Sequence, residues 1–308
     1  MKYSIVTTLY KSEEYIEEFI DRIESEILRN NITNYEIICV DDGYSDNAFQ
    51  IALSKARTNS SIKLIRLSRN FGHYKALMTG LSYSSGDEIF LIDSDLEEEP
   101  ELLSDFISCK HENQCDVVYG VQEKRKGKWF ERVSGKVFYK VANFLCDGVI
   151  VENAVTARLM SRKYVDELVK YKETNLMIFG LFSLVGFEQI PLKIRKNSSS
   201  ETTYTLTKKL SLAMDNIANF STFPLRMISK MGFMISFISF LYFIMLVFNY
   251  FLDDEVPLGW SSLIASVWLL GGIILMSIGI IGAYISRIFL EVKNRPLTII
   301  RDIVNFDK

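Results

Sequence analysis

Cysteine is scarce in this chain. There are four in 308 residues (Cys39, Cys109, Cys115 and Cys146), with no C-x-x-C pair. That scatter excludes a disulfide framework and a zinc site built on paired thiols. Cys39 lies in an apolar, strand-like run and reads as a small buried thiol. Basic charge is not in excess either. The net charge is −3 and the pI about 5.7, which gives no support for a nucleic-acid partner, because such partners call for a basic face. No G-x-G-x-x-G follows the first strand, and no Walker-type phosphate loop is present. The dinucleotide fingerprint and the P-loop are therefore both missing. No signal segment precedes the first element, since Met1-Lys2-Tyr3 leads straight into a strand and an acidic helix. The expectation is a cytoplasmic N-terminal domain.

What is abundant is apolar sequence. Hydrophobic residues make up 48% of a chain that also carries 24% charge, a combination that implies a soluble part joined to a membrane part. In the soluble part, strand-like runs at 3–9, 35–40, 62–67 and 88–92 alternate with helical periodicity. The first helix is expected from Ser12, with Glu13 and Glu14 suiting its dipole and Ile16, Phe19, Ile20, Ile23 and Ile27 on one face. Further helices are expected at 47–57 and 74–82, then one opened by Leu96 to Glu101, with Pro100 in its first turn. A fifth strand is expected at 116–120. Such alternation predicts an α/β fold with a mostly parallel sheet and helices on both faces.

Polar clusters fall at the carboxyl ends of these strands: Thr7, Thr8 and Tyr10, then Asp41 and Asp42, then Arg69 and Asn70, then Asp93 and Asp95. In open α/β sheets, ligands bind in the crevice outside those ends. Asp93 and Asp95 are one residue apart, so on an extended strand they point the same way and suit a hard divalent cation that also holds phosphates. The same pair also suits capping of the following turn, and both readings stand at this point.

Residues 231–252 and 256–286 contain no charged residue, and each is long enough to cross a hydrocarbon core of about 20 residues. An acidic hairpin, Asp253-Asp254-Glu255, separates them. Arg226 and Lys230 precede the pair, and Arg287, Lys293 and Arg295 follow it. The positive-inside bias puts both flanks in the cytoplasm and the hairpin outside. Gly271, Gly272, Gly279 and Gly282 allow close helix contact, and a homo-oligomer is expected. Residues 206–230 carry an apolar face at Leu206, Leu210, Ala213, Met214, Ile217 and Phe220, which reads as an interfacial amphipathic helix. A second candidate near anionic headgroups or phosphates spans 129–145, with Arg132, Lys136 and Lys140 at four-residue spacing. The expected organisation is a cytoplasmic domain over 1–205, interfacial helices over 206–230, two membrane helices over 231–290 and a cytoplasmic tail over 291–308. The chain is thus expected to be multi-pass, with its N-terminal domain and C-terminus in the cytoplasm.

A set of stretches now carries a family resemblance. It comprises Val40-Asp41-Asp42-Gly43 with Asp46, Arg69-Asn70-Phe71-Gly72-His73, and Asp93-Ser94-Asp95-Leu96 with Pro100-Glu101. It continues with Gly135-Lys136-Val137-Phe138-Tyr139, Arg158-Leu159-Met160-Ser161-Arg162, Thr203-Tyr204 and Phe220-Ser221-Thr222-Phe223-Pro224-Leu225-Arg226. In this order the chain resembles the family-2 glycosyltransferases, and within them the polyprenyl-phosphate glycosyltransferases such as dolichol-phosphate mannose synthase and the bactoprenol glucosyltransferases.

The resemblance implies a GT-A-like nucleotide-sugar-binding domain. It implies inverting transfer of a sugar from a nucleotide diphosphate, a UDP-sugar, to polyprenyl (undecaprenyl) phosphate, with Mg²⁺ or Mn²⁺. Asp95 would be the principal metal ligand and Asp93 would support the metal or the nucleotide. Thr8, Tyr10 and Asp42 would line the base and ribose, and Arg158 belongs to the acceptor-side motif. Arg195 and Lys196 would close over phosphates, and Lys136 would serve the acceptor side. His73 is as readily a helix-start residue and receives no role. The chain departs from the family pattern at Thr8 (usually Pro), at Ser12 (commonly Glu), at Thr156 (usually acidic) and in the loop 196–201 (usually containing Gly). Glu173 is a nearby alternative carboxylate. The alternatives are transfer to a sugar acceptor, or a non-catalytic nucleotide-sugar-binding or scaffold protein.

Overall fold

The computed structural model describes residues 1–44, 46–122, 153–174, 176–195, 259–306 and scattered positions between 225 and 244. They divide into two units, and residues 295–308 group with the N-terminal unit rather than with the apolar segment before them.

Four strands begin the chain: β1 (Tyr3–Leu9), β2 (Tyr35–Asp41), β3 (Ile62–Leu67) and β4 (Glu88–Leu91). They alternate with α1 (Ile16–Arg29), α2 (Ala48–Thr58) and α3 (His73–Tyr83). After α4 (Leu102–Asn113) come β5 (Val117–Gln122), β6 (Ala154–Ser161), α5 (Arg162–Leu168), α6 (Ile178–Leu184) and β7 (Gln189–Ile194). Near the end of the chain, α7 (Trp260–Val292) is followed by β8 (Ile300–Val304). All eight strands form one sheet in the order β7-β5-β6-β4-β1-β2-β3-β8.

The expected parallel arrangement holds where the chain alternates strand and helix. β3, β2, β1 and β4 are mutually parallel, with Tyr3 opposite both Tyr35 and Glu88. Beyond them the sheet is mixed. β6 runs antiparallel to both β4 and β5, and β8 runs antiparallel to β3. The stretch expected as a tail thus carries an edge strand of the N-terminal domain. Its short run Ile300-Arg301-Asp302-Ile303-Val304 is too polar to announce a buried strand, and on an edge it need not be apolar.

Each face of the sheet is covered by helices. One core gathers Ile5, Ile37, Cys39 and Phe90 with Phe19, Ile23 and Ile27 of α1, Ala52 of α2 and Phe106 of α4. The other gathers Val6, Ile38, Val40 and Leu91 with Leu77 and Leu81 of α3, Val165 of α5 and Leu181 of α6. Strands apolar on both sides are what a doubly covered sheet demands. The Cys39 thiol is fully buried, and desolvation pushes its pKa up to about 12, in keeping with an inert core thiol. Gly80 lets α3 lie directly on the sheet, because a Cβ there would stand 2.5 Å from Val6 Cγ1 and 3.0 Å from Val40 Cγ2.

Two helix starts fall later than expected. α1 begins at Ile16, because the Ser12 side chain accepts from Tyr10 N–H (3.0 Å) and so holds the loop instead of capping the helix. α4 begins at Leu102, because Leu102 N and Leu103 N bond back to the carbonyls of Glu99 and Pro100 in a preceding turn.

The amino ends of the parallel strands are tied by one carboxylate. Glu36 is 1% exposed. It accepts from Ser4 Oγ (2.6 Å), Ser85 N (2.6 Å), Lys2 Nζ (2.9 Å) and Lys63 Nζ (2.8 Å). Burial alone would raise its pKa, but those donors, led by Lys63 and Ser4, overcome it and bring it down to about 2.

α7 forms the second unit's described helix. Its segment Ser266–Val292 is 27 residues long, has a mean hydropathy of 2.1 and is unburied, so by length and composition it can cross a membrane. The expected 231–252 span falls mainly outside the described residues, though those described there are helical. The segments 129–145 and 206–224 also lie outside the described residues.

Because the folded pKa of Glu36 lies below its ordinary value of 4.5, its stabilisation is complete above that pH and disappears as pH falls toward 2. Replacing Glu36 by Gln is expected to lower unfolding stability by about 3 kcal/mol near neutrality, since it leaves partners of a buried ion pair uncompensated. Denaturant titrations across pH should show that gap narrowing below pH 4.5.

Candidate active site

At the carboxyl ends of β1, β2 and β4 lies a cavity of about 470 Å³, lined by Thr8, Tyr10, Ser12, Asp42, Asn70, Gly72, His73, Asp93, Ser94 and Asp95. Parallel register puts it there. Strands that start together end together, and the loops that leave them converge.

Hydrogen bonds within these loops fix the walls. Ser94 Oγ donates to the Thr8 carbonyl (2.7 Å) and lies 3.0 Å from Ser12 Oγ, while Ser12 N–H donates to Asp46 Oδ2 (3.0 Å). Ser12 therefore stitches the β1 loop to the β4 loop. Asp41 and Asp42 divide their work. Asp41 turns toward Arg66 Nε (3.1 Å) and accepts from Gly43 N–H (3.0 Å). Asp42 faces the cavity and accepts from Phe71 N–H (2.8 Å) and Gly72 N–H (3.1 Å). Burial raises the pKa of both carboxyls against those hydrogen bonds. Gly43 has φ +71°, and a Cβ there would stand 2.4 Å from the Arg69 backbone, so a side chain would push the β2 and β3 loops apart.

Asp95 meets the turn-cap reading, and both carboxylates line the cavity. Asp95 is exposed and its Oδ1 accepts from Glu97 N–H (3.0 Å), as a turn cap does. It also lines the cavity. Asp93 Oδ1 is buried without a hydrogen-bond partner among the described residues and sits 3.4 Å from His73 Nε2. A buried carboxylate oxygen left without a donor suits a cation or a protonated ligand. Among the described residues no three His, Cys, Asp or Glu side chains converge closely enough to hold a metal ion by themselves. The donor set therefore fits a hard ion such as Mg²⁺ or Mn²⁺ that takes its other ligands from water and phosphate, and does not fit an all-protein cage.

Of the expected site residues, Thr8, Tyr10, Asp42, Asp93 and Asp95 share the cavity wall. Arg158 does not reach it. It is 2% exposed, its guanidinium carbon lies 3.3 Å from the Phe182 ring centroid, and it donates to the Thr156 and Val155 carbonyls (3.2 and 3.1 Å). Burial lowers its pKa to about 10. Arg195 is exposed just beyond β7 and is not a lining residue. Lys136 and Lys196 lie outside the described residues.

Asn70, from the polar cluster after β3, also lines the cavity, as do His73, Ser12 and Ser94, which had no site role in the sequence. The Tyr44 ring packs against Tyr10, with centroids 4.9 Å apart, and Lys11 Nζ lies 5.8 and 5.6 Å from the two ring centroids. The run Gly72-His73 at a helix start was the available signal for His73. Nothing local marked Tyr44.

An α/β sheet with an acidic cavity across its strand ends is the nucleotide-sugar-binding architecture of a GT-A-like glycosyltransferase. The description Glycosyl transferase family 2 matches residues 4–169, and the chain belongs to that family. It is 39% identical over 305 residues to the uncharacterized glycosyltransferase YkcC of Bacillus subtilis (strain 168), covering 98% of this chain and 94% of the relative. It is 32% identical over 305 residues to the bactoprenol glucosyl transferase of Shigella phage SfII, covering 98% of each. A looser likeness, with a TM-score of 0.48 and 20% identity over 70% of this chain and 77% of the other, is to the crystal structure of glucosyl-3-phosphoglycerate synthase from Mycobacterium tuberculosis with Mn²⁺, UDP and glucosyl-3-phosphoglycerate.

Replacing Ser94 by Ala removes the hydroxyl between the Thr8 carbonyl and Ser12. A loss of about 1–2 kcal/mol in unfolding stability is expected. Chemical denaturation of the purified variant measures it.

Proposed function

We propose that this glycosyltransferase moves a sugar from a UDP-sugar onto polyprenyl (undecaprenyl) phosphate at the cytoplasmic face of the membrane, giving a lipid-phosphate-linked sugar for cell-envelope glycan modification. The observation that carries the proposal is the pairing of a phosphate-suited cavity at Asp93 and Asp95 with a 27-residue apolar helix in one chain. The 98% mutual coverage with a bactoprenol glucosyl transferase supports it, because that likeness extends through the C-terminal apolar region.

In this reading Thr8, Tyr10 and Asp42 hold the base and ribose. A Mg²⁺ or Mn²⁺ ion held by Asp95 and Asp93 supplies charge neutralisation for the departing diphosphate. An oxygen of the acceptor phosphate forms the new bond to the anomeric carbon. The bond from that carbon to the diphosphate breaks with its electron pair leaving on UDP, and configuration inverts. The acceptor is already an anion, so the reaction needs no side-chain base, in keeping with Thr156 at the position where the resembled family pattern usually has an acid. Arg195, Lys196 and Lys136 serve the phosphates. Arg158 belongs to the support of β6 through its stacking on Phe182. The two spans, the external hairpin, the cytoplasmic termini and a homo-oligomer held by the glycines of α7 complete the proposal.

Full-length protein in detergent, given undecaprenyl phosphate, Mn²⁺ and a panel of labelled UDP- and GDP-sugars, is expected to form one lipid-phosphate product. Asp95→Asn should reduce its rate by about 100-fold or more, the scale on which loss of a stabiliser of developing charge acts. If no donor is turned over, or if the substitution leaves turnover unchanged, the reading fails.

A further inference from the structure

His73 joins three strand ends, although its position at the start of α3 reads as structural. Its Nδ1 lies 3.1 Å from Thr8 Oγ1, at the end of β1. Its Nε2 lies 3.4 Å from Asp93 Oδ1, beyond the end of β4. The backbone beneath it is held from β2, because Asp42 takes the N–H groups of Phe71 and Gly72. All four side chains line the same cavity.

The hydrogen-bond inventory assigns the protons. A carboxylate can only accept, so a neutral imidazole facing Asp93 carries its proton on Nε2. Its Nδ1 is then an acceptor, and the Thr8 hydroxyl is the donor that fills it. Asp93 Oδ1 makes no hydrogen bond among the described residues, and His73 Nε2 stands 3.4 Å from it. The separation is longer than a formed hydrogen bond, as catalytic contacts often are before a ligand draws the site together. Carboxylates that hold a cation are themselves held by a surrounding donor, which sets their orientation.

We propose that His73 is a positioning residue. As its Nε2–H tautomer, anchored by Thr8, it orients the Asp93 carboxylate for the divalent cation and diphosphate. The proposal rests on the reading of Asp93 and Asp95 as the cation-holding pair. It assigns no proton transfer to His73.

The test is Mn²⁺ binding to the full-length protein in detergent, followed by electron paramagnetic resonance with and without UDP. His73→Ala is expected to weaken Mn²⁺ binding by about tenfold or more, the usual scale for loss of a group that orients a metal ligand. His73→Gln, which can place an amide N–H near the Nε2 position, should restore most of the affinity. Thr8→Val should weaken it in the same direction as His73→Ala. Thermal unfolding without metal checks that each variant is folded. Unchanged Mn²⁺ affinity in folded His73→Ala overturns the proposal, and so does equal weakening by Ala and Gln, which would show that only packing at the helix start matters. If the wild-type protein binds no Mn²⁺ even with UDP, the cation reading falls with it. Intact Mn²⁺ binding without turnover of any donor overturns the transfer reading alone and leaves His73 testable.

Discussion

The buried Glu36 carboxylate governs the geometry of the N-terminal domain. It draws donors from the start of β1, from β3 and from the turn before β4 onto one side chain of β2. Four parallel strands are thereby brought into step at their amino ends. Because each strand rises by a similar amount per residue, strands that start together deliver their carboxyl ends to one place. The catalytic end inherits its order from the opposite end of the sheet. A charge this deeply buried persists only because two ammonium groups and several neutral donors surround it.

At the carboxyl ends the construction changes. Short polar loops replace the apolar strands, and side-chain hydrogen bonds hold them. Ser94 and Ser12 join the loops after β4 and β1, and Asp42 holds the backbone at Phe71 and Gly72. Hydrogen bonds match many donors and acceptors inside the loops, and Asp93 Oδ1 is one of the buried oxygens that they leave over. The walls near Asp93 and Asp95 are rich in carboxylate, an arrangement that repels a diphosphate unless a cation intervenes. The same feature makes the cavity unsuitable for a bare anion and suitable for a cation-bound one.

The C-terminal part of the chain joins a candidate membrane span to an edge strand. α7 holds a 27-residue segment long and apolar enough to cross a membrane, yet β8 follows it within a few residues and pairs with β3. Ser68, next to the loop that carries Asn70 and Gly72, donates its N–H to the Ile299 carbonyl (2.8 Å), and Thr79 of α3 meets Thr298 (2.8 Å). The covalent path from the apolar helix to the strand bearing a cavity loop is therefore short.

Much of this was legible in the sequence because its signals are local. Continuous apolar runs ending in polar clusters marked β1 to β4, and the alternation with helices marked the parallel part of the sheet. Thr8, Tyr10, Asp42, Asp93 and Asp95 could be placed at one crevice because strand ends converge by topology alone. The charge-free run that forms most of α7 was equally plain. Tertiary structure decided what depends on distant partners. β6 entered antiparallel and β8 closed the edge, since pairing direction is not written in periodicity. Arg158 stacks on Phe182 and does not line the cavity, a contact made with a residue 24 positions further along the chain. His73 gained its neighbours only when β1 and β4 came side by side. The pair Asp93 and Asp95, ambiguous between cap and ligand in sequence, separates in the folded chain. Asp95 Oδ1 caps the turn at Glu97, while Asp93 Oδ1 is buried beside His73 without a hydrogen-bond partner among the described residues, because its surroundings come from strands distant in sequence.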